Sequence, residues 1–235
     1  MTTDRIDFIS AYCDRWCERC AFTERCSVYA CKVATAMCDG DLAAGLELAV
    51  GTPQPVSGDR ETSAGGKWLA DCEEPSAEEL DTAMRDEDAR RERIEALEIS
   101  RLSWNYMMTA HEWLERRNGR PQPADALLRE ALDIVGWDST LVGSKLHRAL
   151  LGRDRGANDS WPETDAVQND ANGSAKVALI SLERSETAWR LIADATQDAA
   201  AADLAALAAS LRARVAEEFP DAMAFVRPGF DEPRR

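Results

Sequence analysis

Apolar and polar positions recur along most of this chain at spacings of three and four, which predicts helices from one end to the other. From Asp4 to about Cys20, Ile6, Ile9, Cys13, Trp16, Cys17 and Cys20 fall at such intervals, so a first helix is expected to carry Cys13, Cys17 and Cys20 on one face. A second begins near Ser27, lines Val28, Cys31, Thr35 and Cys38 along a stripe, and ends at Asp39-Gly40. Residues 51 to 67 are rich in turn formers and nearly free of large apolar groups, and read as a linker. Pro75-Ser76-Ala77-Glu78-Glu79 then supplies a capping box for a long helical pattern that reaches Arg117. It carries Ile94, Leu97, Arg101, Trp104, Met108 and His111, and Asn118-Gly119 stops it.

Further on, a short amphipathic helix is expected from Ala124 to Val135, broken by Gly136, and another from Ser139 to Gly152. After a polar segment to Gly173, two last helices follow, Ser174 to Thr196 and Asp198 to Phe219. The second of these is Ala-rich, with a seam of Leu204, Leu207, Leu211 and Val215. Pro220 closes the pattern, and the apolar segment from Phe225 to Phe230 is expected to fold back as a clasp or to dock on a partner. No stretch alternates β-branched residues at period two, and no fixed-period repeat occurs, so the fold class is all-α, a helical bundle. The predicted organisation is a cysteine-rich metal-binding helical module over residues 1–50, a linker over 51–75 and the bundle over 76–235.

At 235 residues the chain can bury a core without disulfide staples. Its seven cysteines are an odd number and six lie before residue 40, which speaks for ligation rather than for a distributed disulfide framework. The formal charge of -15 repels a phosphate backbone, so nucleic acid is excluded as a partner; a protein partner with a basic patch is compatible. No apolar run of membrane-spanning length and no signal peptide is legible, which places the chain in the cytoplasm, off the membrane, where thiols stay reduced. Oligomeric state is not legible.

The chemistry concentrates in Cys13-Asp-Arg-Trp-Cys17-Glu-Arg-Cys20-Ala-Phe-Thr-Glu-Arg-Cys26, spaced C-x3-C-x2-C-x5-C. Four thiolates this close can wrap one metal centre without help from distant residues, and Cys13, Cys17, Cys20 and Cys26 are the expected ligands. The last part of the run resembles the [4Fe-4S] loop of the endonuclease III and adenine glycosylase family, where C-x2-C-x5-C follows a more distant first cysteine. The resemblance implies an iron-sulfur cluster over these few residues only. The first gap differs, and neither the helix-hairpin-helix signature nor a basic face is present, so glycosylase activity does not carry over. The first three cysteines also look like the triad of radical-SAM enzymes, but the strand-helix alternation of that barrel is missing. A [4Fe-4S] cluster implies electron transfer or redox sensing with a protein partner; four-thiolate zinc implies a stapled helical adapter; copper(I) is a further soft guest.

Arg15, Arg19 and Arg25 are candidate cations beside an anionic cluster, and Trp16 and Phe22 a candidate apolar shield or ordinary core. Cys31, Cys38 and Cys72 read as small buried hydrophobes, Cys31 also as a substitute ligand. His111 and His147 lack the Glu-x-x-His pattern of a di-iron bundle. With Glu183 or Glu186 they form a weaker candidate for an enzyme site. The polar band Ser181, Glu183, Arg184, Ser185 and Glu186 calls for interior partners, with Arg101, Asn105 and Lys145 expected. Phosphate loops, nucleophile elbows and zinc-protease helices do not occur.

Overall fold

In a computed structural model the protein is described over residues 4–51, 74–158 and 165–232. Among these residues every regular element is helical and there is no strand. The predicted linker lies almost wholly outside the described residues, as does Cys72. The chain divides into two compact units: Met1–Arg5 with Ala21–Ala89, and Ile6–Cys20 with Arg90–Arg235. The division passes through the cysteine run, between Cys20 and Cys26.

The first unit holds a helical hairpin, α1 (Ser27–Met37) and α2 (Leu42–Val50), and most of α3 (Ala77–Glu95). Asp39 and Gly40 take left-handed φ of 51° and 88° and end α1 where expected. Asp41 then caps α2, its carboxylate accepting from Ala43 and Ala44 N–H. The hairpin crosses at Gly45, where an added Cβ would lie 2.5 Å from Thr35 Cα. At α3 the capping box forms as read: Glu79 accepts from Ser76 N–H at 2.8 Å, and Glu79 N–H donates to Ser76 Oγ at 3.3 Å.

The second unit is a four-helix bundle of α4 (Glu98–Arg117), α5 (Ala126–Asn158), α6 (Asp170–Thr196) and α7 (Ala199–Glu218). Successive helices pack side by side and α7 returns to α4, which closes the ring. Its core is Tyr106, Val135, Leu146, Leu182, Trp189, Ile192, Leu204 and Leu211, all nearly inaccessible. Trp113 meets Trp189 edge to face at 5.0 Å, and Trp189 Nε1 donates to the Tyr106 hydroxyl. None of the described helices is long and apolar enough to cross a membrane.

Four departures from the sequence reading have identifiable causes. No helix forms over residues 4–20, a point taken up below. The long helix to Arg117 breaks at Leu97, where ψ is 141°; there the Ser100 hydroxyl donates to the Ile94 carbonyl and the Arg101 guanidinium to the Ala96 carbonyl. The break resets the helical phase, so α4 buries Ile99, Ser103, Tyr106, Ala110 and Trp113, while Arg101, Trp104 and His111 stay exposed. Gly136 does not interrupt α5, which runs unbroken to Asn158, because the stability that one interior glycine costs a helix is small beside the burial of Ala131, Val135, Val142 and Leu146. Finally, α6 starts at Asp170 rather than Ser174, with Asn169 accepting from Asn172 N–H as its cap.

The expected clasp is present. Phe225 is buried against Tyr12, and buried Lys176 donates to the Met223 and Phe225 carbonyls and pairs with Asp231 at 2.8 Å. From Ala171 to Leu179 every residue of α6 is buried, so this first third of the helix is covered all round.

Candidate functional site

The segment Ile6–Cys20 is a strap on the bundle, not a helix. Phe8 and Arg15 hold left-handed φ of 58° and 59°, each enough to interrupt a helical run, and the Asp14 carboxylate accepts from Trp16 N–H in a local turn. Only Cys17–Arg19 forms a single 3-10 turn. The predicted shared helical face of Cys13, Cys17 and Cys20 is therefore absent. The residues between the cysteines anchor the strap instead. Tyr12 donates from its hydroxyl to Asp170 at 3.1 Å, and Lys145 Nζ reaches the Ala11 carbonyl at 2.8 Å. Trp137 Nε1 donates to the Asp14 carbonyl at 2.7 Å. Trp16 stacks on Trp137 at 5.4 Å with Arg19 over its ring at 3.8 Å, and Arg19 also pairs with Glu130 and Asp133.

Beneath the strap lies a charged network. Arg184 forks onto fully buried Asp138, Nε to Oδ2 at 2.8 Å and Nη2 to Oδ1 at 2.5 Å, and its third nitrogen reaches Asp14 at 3.0 Å. Burial pushes the Asp138 carboxyl up from its ordinary value, against the pull of Arg184. Burial likewise lowers the Lys145 ammonium to about 8 and raises the Tyr106 phenol to about 12. The polar band of α6 thus finds its partners, but different ones from those expected. Arg184 takes Asp14 and Asp138, and Glu186 takes Arg190 and Arg212. Lys145 serves the strap.

Cys13 donates from its thiol to the Ser10 carbonyl at 3.5 Å. Cys13, Cys17, Cys20, Cys26, Cys31 and Cys38 are all partly exposed, so Cys31 and Cys38 are not the buried hydrophobes expected. Cys13, Cys17 and Cys20 belong to the second unit, Cys26 to the first. Among the described residues, no group of three or more His, Cys, Asp or Glu is gathered closely enough to hold a metal ion. That statement covers His111, His147, Glu183 and Glu186 as well. Of the three arginines expected near the thiols, Arg19 is engaged as above and Arg25 pairs with Asp4 at 2.8 Å, while Arg15 is exposed. Trp16 packs against Trp137 in the manner of ordinary stacking, and Phe22 is half-buried.

Sequence reasoning passed over Asp14, Asp138, Tyr12 and Trp137. A signal for Asp138 was present: it sits on the stripe Ala131, Val135, Asp138, Val142, where an apolar residue belongs. No protein-family model matches the chain, and no curated protein or solved structure matches it.

Proposed function

We propose that the cysteine run is the working part of the molecule: an accessory protein in which Cys13, Cys17, Cys20 and Cys26 take a thiophilic metal centre, a [4Fe-4S] cluster before zinc. When bound, a cluster would supply one-electron redox chemistry to a protein partner. Support for this reading comes from the donor chemistry, four soft thiol ligands within fourteen residues of an acidic chain. The observation that carries it is the division of labour along the strap. Tyr12, Asp14, Trp16 and Arg19 are committed to the bundle, while the thiols between them stay partly exposed.

The test is anaerobic purification of the full chain, with visible absorption and analysis of iron, sulfide and zinc, before and after reconstitution. A brown protein with iron and sulfide in equal amounts, lost when Cys17 and Cys20 are replaced by Ser, is the expected result. Stoichiometric zinc in a colourless protein moves the reading to a stapled adapter. A chain that keeps no metal by either route overturns it. Hydrogen exchange over residues 13–26 provides a second measurement, with slower exchange expected in the loaded protein.

A further inference from the structure

A cavity of about 610 Å³ opens in the second unit where α4 faces α5, and its wall includes Arg101, Ser103, Trp104, Met107 and Gly143, with Glu95 at the end of α3. The volume falls in the range of small-molecule sites. Three independent features of this wall point to a ligand. Ser103 is 6% exposed, on the buried register of α4 between Ile99 and Tyr106, and its hydroxyl has no hydrogen-bond partner among the described residues. The oxygen itself is not sealed off, so it stands open to the cavity as a free donor and acceptor for a bound polar group.

The second feature is charge. Arg101 donates only to the Ala96 carbonyl, and neither it nor Glu95 makes an ion pair among the described residues, although both line the same cavity. Several other arginines in this acidic chain hold carboxylates, as Arg90, Arg148 and Arg184 do, although Arg129, too, donates only to backbone carbonyls. Third, Gly143 stands in the middle of α5, where glycine costs helix stability relative to alanine. An added Cβ there would meet only Met107 Sδ, at an ordinary 3.4 Å. What the missing side chain leaves is room in the cavity. Around it the lining is largely apolar, with the Trp104 indole 62% exposed at the opening.

We propose that this cavity binds a small zwitterion with an apolar body, the class of free apolar and aromatic α-amino acids. Arg101 takes the carboxylate, Glu95 the ammonium, and Ser103 completes the polar end. The apolar side chain lies against Trp104 and Met107 over Gly143. The site shares no residue with the cysteine run and stands or falls independently of any metal.

Isothermal titration of the full chain with L-phenylalanine, L-tryptophan, L-leucine and L-methionine tests it. 3-Phenylpropionate, which lacks the ammonium, and phenethylamine, which lacks the carboxylate, serve as half-ligands. At least one amino acid is expected to bind saturably, and both half-ligands at least roughly tenfold more weakly than phenylalanine. Arg101→Gln and Glu95→Gln, both at exposed positions, are each expected to weaken binding by about as much, with Glu95→Gln leaving thermal unfolding unchanged. Gly143→Leu is expected to abolish binding by filling the space. The proposal is overturned if none of the four amino acids binds saturably, if 3-phenylpropionate binds as tightly as phenylalanine, or if the Arg101 and Glu95 variants bind like the parent.

Discussion

Asp231 shows how one carboxylate holds a segment beyond the last helix of the bundle. Burial raises the pKa of such a group, but here hydrogen bonds from Arg227 and from Lys176 outweigh it and hold the carboxyl well below the usual carboxylate range. A folded pKa below the unfolded value contributes stability that is complete above the ordinary value of 3.8 and is lost as pH falls through that value and below. Asp231→Asn is therefore expected to lower stability at pH 7 and to converge with the parent in acid, which urea unfolding at several pH values would reveal; a gap that does not change with pH removes the carboxylate from the account. Charged pairs such as Asp138 with Arg184 were not legible as pairs, because partners 46 positions apart follow from helix register, which residue types alone do not set. The apolar core residues were easier to read. Leu146, Leu150, Leu204, Leu211 and Val215 are buried as their spacing predicts.

At the level of elements, glycine has two different meanings here. Gly136 lies inside α5 with nothing within 4 Å of an added Cβ, so Gly136→Ala is expected to stabilise by about 0.5–1 kcal/mol through helix propensity alone. An alanine at Gly173 would instead run into the Tyr12 ring and lie 2.8 Å from Phe225 Cζ. Gly173→Ala is expected to cost on the order of 1–3 kcal/mol as overpacking, in spite of the same gain in propensity. Thermal unfolding of the two variants decides the matter, and a shift of the same sign for both would sink the packing argument. The sequence cannot distinguish these cases, because an interior glycine reads as a breaker whichever partner it faces; hence α5 is predicted as two helices and observed as one. The predicted first helix fails for the converse reason. Its spacing is helical, but Tyr12, Asp14 and Trp16 bond to or pack on the bundle in place of continuing a helix.

For the molecule as a whole, the strap and the clasp bring residues from both ends of the chain to the same half of α6. Tyr12 packs on Phe225 with the ring centroids 4.6 Å apart and the planes tilted by 57°, and both rings lie over Gly173. Helices that amphipathic patterns predict are half-covered; α6 is covered all round from Ala171 to Leu179 only because these two non-helical segments complete its shell. Such coupling was not legible in the sequence, where the two rings are more than two hundred positions apart and the helical spacing of the first segment points to a different structure. It has a measurable consequence. Tyr12→Ala and Phe225→Ala are each expected to destabilise by about 3 kcal/mol, as loss of a packed aromatic does, and the double variant by clearly less than the sum. Denaturant unfolding of the four proteins gives the interaction energy. A coupling within error of zero would mean that strap and clasp dock independently, the strap being held by its contacts with Asp170, Lys145, Trp137, Arg184 and the Arg19 pairs.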